Sequence, residues 1–157
     1  MDVSGGGGDN TVLGIGFKVL SDYYIMGWSS DKATVDDDFI KLIKNKQQEF
    51  SLDKILYEKN GASTIYKTFR DYGINGISYH QKENKELKIS SIFDKKSNII
   101  FILDAIKENK MCYNSIKEFN PSKSKNDDEV DVLSELIGRL DNQREKKGIK
   151  IGFKKSI

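Results

Sequence analysis

The sequence LGIGFKVLSDYYIMGW, residues 13–28, has the pattern of a β-hairpin. Apolar side chains at the odd positions from Leu13 to Val19 alternate with Gly14, Gly16 and a lysine, which is typical of a strand with one buried face. The two glycines leave room on the opposite face for a close neighbour. A turn at Ser21-Asp22 precedes a second strand-like run, so the stretch predicts two antiparallel strands.

The second strand of this hairpin carries candidate binding residues. Tyr24, Met26 and Trp28 share one face, because successive side chains of a strand point to opposite sides. Tyrosine and tryptophan are enriched at the centres of protein interfaces, so Tyr24 and Trp28 are candidates for contact with a partner. The same face can instead be covered by a second layer, and this alternative stays open. Arg70 is a further candidate, since its guanidinium can clamp a phosphate.

Helical spacing of apolar residues, bounded by capping residues and glycine, predicts most of the remaining elements. The predicted helices cover 34–50 with Thr34 as N-cap, 51–61, 63–73 and a last stretch that has helical spacing over 130–140 and is stopped by Gly148. Residues 98–119 are interpreted as a strand to Leu103 followed by a helix to Phe119, because five consecutive apolar residues suit a buried strand. Ile149, Ile151 and Phe153 predict a last strand.

Residues 77–92 alternate on both sides of the polar tip Glu83-Asn84-Lys85, which predicts a second hairpin. Pairing about that tip places His80 opposite Lys88, and Lys82 opposite Glu86, on one face of the sheet. One imidazole, two ammonium groups and a carboxylate are the parts of a metal-independent ribonuclease, with His80 as general acid or base. The alternative is the solvated side of an amphipathic hairpin with an ordinary surface ion pair.

Together these patterns predict an α+β fold with a mainly antiparallel sheet of five to six strands and amphipathic helices packed on one face. The tetrapeptide Ile151-Gly152-Phe153-Lys154 repeats Ile15-Gly16-Phe17-Lys18, and two strands of the same pattern can pair and close the domain end to end. The glycines at 5–8 predict a flexible leader over 1–10, followed by a single domain over 11–157.

Composition and residue counts exclude several classes of protein. The 157 residues contain 26 Lys and Arg against 24 Asp and Glu, and the resulting charge of +2 is too small for an obligate nucleic-acid coat or a polybasic membrane anchor. His80 and Cys112 are the only residues of their types, so a disulfide within the chain and the usual zinc sites cannot form. No phosphate-loop motif and no apolar run of membrane-spanning length occurs.

Two functions fit these observations. The first is a non-catalytic module that binds a macromolecule, most simply another protein, through the Tyr24/Trp28 strand or the predicted hairpin. The alternative is a small effector or toxin-like ribonuclease centred on His80, with RNA as its substrate. In either case we expect no cofactor, no metal, no dinucleotide and no membrane partner, and a cytoplasmic location, reached directly or by delivery within a larger carrier.

Overall fold

A computed structural model describes residues 10–31, 36–58, 63–80, 85–121 and 127–142. These residues form five strands and six α-helices. The strands are β1 (Thr11–Val19), β2 (Asp22–Ser30), β3 (Ile55–Glu58), β4 (Gly76–Tyr79) and β5 (Ile99–Phe101). The helices are α1 (Asp37–Glu49), α2 (Ser63–Asp71), α3 (Lys85–Lys95), α4 (Leu103–Glu108), α5 (Lys110–Glu118) and α6 (Asp128–Asn142).

The hairpin predicted near the start of the chain is confirmed. β1 and β2 pair antiparallel along all nine residues of each strand, with Gly14 opposite Gly27 near the middle. β5 adds to β2 in parallel, so that Tyr24 lies beside Ile100. The resulting sheet has the order β1-β2-β5, with β1 at one edge.

The α+β class is confirmed, but the prediction of one mainly antiparallel sheet of five to six strands is wrong. The described strands form a mixed sheet of three strands and a separate parallel pair, β3-β4. β3 lies where a short helix over 51–61 was predicted. Ile55 and Tyr57 are buried while Leu56 and Glu58 are half-buried, and so short an alternation cannot be distinguished from one helical turn in the sequence.

The hairpin predicted over 77–92 is also wrong. β4 ends at Tyr79, and α3 begins at Lys85. The side chains that α3 buries include Lys88, Ile89 and Ile92, which have helical spacing. The alternation that suggested a second strand is incidental, because Leu87 is 70% exposed.

Helices cover both faces of the three-stranded sheet, whereas packing on one face was predicted. On one face Leu13 and Trp28 pack against α1, α2 and the β3-β4 pair. On the other face Ile25 packs against α3 and α6. α6 lies mainly over β1, where a Cβ added to Gly14 would come within 2.9 Å of Val132 Cγ1. The glycines of β1 therefore admit a closely packed helix.

Several other predicted elements have counterparts in the structure. The helix predicted over 34–50 corresponds to α1, whose N-cap is Asp36: its carboxylate accepts a 2.8 Å hydrogen bond from the Phe39 amide. The helices predicted over 63–73 and 130–140 correspond to α2 and α6, and β5 with α4 and α5 corresponds to the strand and helix predicted over 98–119. Thr34, the leader before Asn10 and the strand over 149–153 lie outside the described residues. Within the described ranges, no helix combines the length and apolar composition needed to cross a bilayer.

Candidate binding surface

The uncovered end of the three-stranded sheet is the candidate binding surface. The layer formed by α1, α2 and the β3-β4 pair covers the face of the sheet around Trp28 but not the end near the β1-β2 turn. There Phe17 is 47% exposed, Val19 44% and Ile100 39%. These three residues and the half-buried Tyr24 are called the hairpin-end surface below.

The hairpin-end surface is a flat apolar patch that spans all three strands. Phe17 of β1 is paired with Tyr24 of β2, and Tyr24 is paired with Ile100 of β5. The rings of Phe17 and Tyr24 are stacked, with centroids 5.0 Å apart and an interplanar angle of 6°. At the adjoining turn Leu20 is 92% exposed and has a φ of 56°, in the left-handed region.

The opposite side of this hairpin end is fixed to α6 by Asp141. Its Oδ1 atom accepts a 2.7 Å hydrogen bond from Lys18 Nζ and a 2.5 Å hydrogen bond from the Tyr23 hydroxyl, while Lys95 Nζ donates to Oδ2. Desolvation opposes the charge of Asp141, but these hydrogen bonds outweigh it and hold the pKa of the carboxyl well below its usual value. The hairpin end is thus anchored on one side and open on the other.

Trp28, the other predicted binding residue of β2, lies in the core. It is 2% exposed, and its Nε1 donates a 2.9 Å hydrogen bond to Glu108 Oε2. Lys46 Nζ lies 4.9 Å from the centroid of the Trp28 ring and 2.9 Å from Glu108 Oε2. Hydrogen bonds from Lys46 and Trp28 lower the pKa of Glu108. The face of β2 is therefore covered at Trp28 and uncovered at Tyr24.

Arg70 lies on a different element from the hairpin-end surface. It is exposed in the last turn of α2, and its Nη2 atom is 3.3 Å from Oδ1 of the neighbouring Asp71. α2 packs against β4 in the second layer. Arg70 and Tyr24 are therefore not parts of one described contact surface.

The structure does not assemble the residues of the ribonuclease hypothesis on one sheet face. His80 is exposed directly after β4, and Lys82 lies outside the described residues. Glu86 is in the first turn of α3, and Lys88 is buried on the same helix. The cross-strand geometry that grouped these residues is wrong because 85–95 is a helix. The hypothesis that the protein cleaves RNA stays a prediction, and the cross-strand arrangement of these residues no longer supports it.

Lys88 joins α3 to α6. Its Nζ atom is 2.5 Å from Glu135 Oε2, and Glu135 Oε1 is 2.6 Å from Arg139 Nε. The Arg139 guanidinium in turn lies 4.3 Å from the centre of the Tyr79 ring, so the chain of contacts extends to β4. Burial disfavours the charge of Glu135, but the hydrogen bond from Lys88 and the positive charges of Lys88 and Arg139 place its pKa below the usual value. Lys88 therefore has a structural partner.

The single thiol is buried in an environment that disfavours its nucleophilic form. Cys112 is buried on α5 beneath β2, where a Cβ added to Gly27 would come within 2.5 Å of its Sγ atom. Burial raises the pKa of Cys112 to about 12, so the reactive thiolate does not form at neutral pH. In the part of the chain that the structure describes, no three His, Cys, Asp or Glu side chains are grouped as metal ligands.

Sequence reasoning identified Tyr24 but missed Phe17, Val19 and Ile100. Alternation assigned the first two to a buried face, and the apolar run around Ile100 suggested a buried strand. The sequence carried no signal for this exposure, because it depends on how far the covering layer of the folded chain extends. No protein-family model matches this sequence, and comparison with curated proteins found no match.

Proposed function

We propose that this chain is a non-catalytic protein-interaction module that contacts its partner through the hairpin-end surface. The observation that carries this proposal is that Phe17, Tyr24 and Ile100 lie side by side on three adjacent strands and leave an apolar patch in contact with solvent. A contiguous exposed apolar patch on a folded domain is typical of an interaction site.

The arrangement behind the patch supports binding at a low entropic cost. Strand pairing and the Asp141 contacts fix the backbone, and the Phe17–Tyr24 stack restricts the two rings before a partner arrives. A binding surface that is ordered in advance loses less conformational entropy on association. The partner expected here presents a flat apolar face of its own.

The charges around this end favour a protein over a nucleic acid. Lys18 and Lys95 both donate to Asp141 on the opposite side of the hairpin. Lysines that are already paired are poorly placed to neutralise phosphates, which supply most of the affinity of nucleic-acid binding. An apolar protein surface fits the hairpin-end surface better.

Quantitative affinity capture from the source cells tests this proposal. The tagged wild-type chain is compared with Phe17→Ser and Ile100→Ser, and each substitution is expected to reduce the amount of captured partner at least about tenfold, since central apolar contacts carry most of the binding energy. Circular dichroism and thermal unfolding confirm that the variants remain folded.

Leu87→Ser is the matched control, because Leu87 is 70% exposed on α3 and its loss removes apolar surface elsewhere. Partner capture should survive this substitution. Equal capture by Phe17→Ser and Leu87→Ser would place the contact elsewhere and refute the proposal. Capture that disappears after nuclease treatment would identify a nucleic acid and refute the protein partner.

A further inference from the structure

A groove runs along the outer edge of β1, between α6 and β3. Its volume is about 160 Å³, and residues 13–16 of β1 contribute to its wall, whereas no described residue of β2 does. The edge of the three-stranded sheet that β1 forms therefore opens into this groove. The apolar part of the wall consists of Leu13, Ile15, Leu52, Ile55, Val132 and Leu136.

The bond between β2 and β5 determines which backbone groups of β2 point toward β1. The Ile25 carbonyl accepts a 2.9 Å hydrogen bond from the Ile102 amide, directly after β5, so the backbone polar groups of Ile25 point toward β5. Successive residues of a strand direct these groups to alternate sides, so those of Tyr24 and Met26 point toward β1. The residues of β1 that are paired with these two are therefore the ones that bond to β2.

The backbone groups of β1 that point into the groove belong to two glycines. Phe17 and Ile15 are paired with Tyr24 and Met26 and bond to β2. Gly16 lies between them, and Gly14 comes next in the same alternation, so each glycine directs its N–H and C=O away from β2. Within the described ranges these groups have no hydrogen-bond partner. They are spaced as a neighbouring strand requires.

The two walls of the groove limit what can pair with this edge. α6 lies close over β1, since a Cβ added to Gly14 would come within 2.9 Å of Val132 Cγ1, and Glu135 and Arg139 of the same helix line the groove. β3 forms the opposite wall. A single extended chain fits between a helix and a strand, whereas the edge of a second sheet with helices on its own faces does not.

The charged residues of the groove favour an acidic occupant. Two of the three charged residues in its described lining, Lys54 and Arg139, are positive, and the third is Glu135. Glu135 is already held by Lys88, whose Nζ atom is 2.5 Å from its Oε2 atom. The exposed Lys54, directly before β3, forms no ion pair with another described residue. A carboxylate on the occupant would find its partner in Lys54.

We infer that this groove binds an extended peptide segment of another protein, which adds a strand to β1. The backbone of the peptide bonds to Gly14 and Gly16, alternate apolar side chains pack on the wall that contains Ile15 and Ile55, and an acidic side chain pairs with Lys54. A small molecule fits less well, because the groove is smaller than the roughly 300–1,000 Å³ of most small-molecule pockets and would leave a strand edge unpaired. This site is separate from the hairpin-end surface.

Selection from a phage-displayed library of random decapeptides, followed by amide hydrogen exchange, tests this inference on the full-length chain. The selected peptides are expected to have apolar residues at alternate positions and at least one acidic residue. Binding of the synthesised peptide should slow exchange of the Gly14 and Gly16 amides at least about tenfold. The amides of Ile15 and Phe17, which bond to β2, should be slow with and without peptide.

Three variants locate the contact. Lys54→Glu should weaken the affinity for the selected peptide at least about threefold in a fluorescence titration, because it replaces an attraction by a repulsion. Lys67→Glu is the matched control, since Lys67 is exposed on α2 and away from the groove, and it should leave the affinity unchanged. Phe17→Ser alters the hairpin-end surface and should also retain the peptide, so the two surfaces are tested independently.

Several outcomes would overturn the inference. One is that no peptide is enriched, and another is that the selected peptides bind without slowing exchange of the Gly14 and Gly16 amides. Slow exchange of these amides in the free chain would overturn it as well. Protection that disappears on dilution would identify a second copy of the chain as the occupant, and protection at every concentration would show that another part of the same chain covers the edge.

Discussion

Trp28 and Tyr24 lie on the same face of β2, yet one is a core residue and the other belongs to an exposed surface. The strand, its pairing and its side-chain alternation are the same at both positions. What differs is the second layer, which covers Trp28 and does not reach Tyr24. Alternation therefore identifies the residues that share a face, while the extent of the covering layer decides which of them are buried.

The two ends also differ in how they use charged groups. At the covered end Lys46 and Glu108 close the edge of the core over the Trp28 ring. At the uncovered end Asp141 binds the hairpin from the opposite side of the sheet. The same hairpin is thus buried at one end. At the other end it is held to α6 on one face and exposes apolar side chains on the opposite face.

The largest difference between the two ends is expected from truncating their aromatic residues. Trp28→Ala should lower the free energy of unfolding by about 3–5 kcal/mol, because it leaves a cavity in the core and removes a hydrogen bond to Glu108. Tyr24→Ala should cost only about 1 kcal/mol, since the ring is half-exposed. Urea unfolding of both variants measures the contrast. If the two substitutions lowered the free energy of unfolding by amounts within about 1 kcal/mol of each other, the assignment of Trp28 to the core would be contradicted.

A smaller effect is expected from removing the anchor behind the uncovered end. Asp141→Asn should lower the free energy of unfolding at neutral pH by about 1–2 kcal/mol, because hydrogen bonds to a charged acceptor are lost. The pKa of Asp141 is lowered in the folded state, so its contribution is present above the unfolded-state pKa and is lost as the pH falls. The stabilities of the wild type and Asp141→Asn should therefore begin to converge as the pH falls below about 4, and the difference should shrink further toward the most acidic pH.

Asp38→Asn is the matched control for this pH dependence. The Asp38 side chain is 86% exposed, and it pairs with Lys41, whose Nζ atom is 3.7 Å away. Its replacement should leave the acid limb of the stability curve close to that of the wild type. If Asp38→Asn and Asp141→Asn gave the same curve, Asp141 would not be the anchor.

The smallest change in stability is expected at the β1-β2 turn, where a substitution should stabilise the protein and not destabilise it. Leu20 has a φ of 56°, a conformation that costs a leucine about 1 kcal/mol and that asparagine tolerates more easily. Leu20→Asn should therefore raise the free energy of unfolding by roughly 0.5 kcal/mol, measured as an increase in Tm. Val19→Asn, at an exposed strand position without this φ, should show no such gain. A lower Tm for Leu20→Asn would contradict this reading of the turn.

The parts of the fold that are determined by residues close together in the sequence were predictable from the sequence. Alternation in 13–28 and a tight turn specify the first hairpin, and the spacing of apolar residues in 130–140 specifies α6. The same rules failed where an element was short or where burial depended on a distant partner. β3 is too short to show a period, and the buried Lys88 of α3 reads as a surface residue unless Glu135 is known to face it.

The candidate site was only partly predictable for a related reason. Tyr24 was identified from its residue type and its position in a strand, but its exposure follows from the extent of a layer in which β3 and β4 are adjacent only in the folded chain. The parallel pairing of β2 with β5, which brings Ile100 beside Tyr24, joins segments far apart in sequence. Local patterns contain no information about either contact.

The position of Cys112 has a practical consequence for measuring motion in this protein. The chain has one cysteine, and in the native state its sulfur lies in the narrow space between α5 and Gly27. A thiol reagent can reach that sulfur only when the helix separates from the hairpin. The rate of labelling of the unmodified protein therefore reports how often this separation occurs, with no engineered probe.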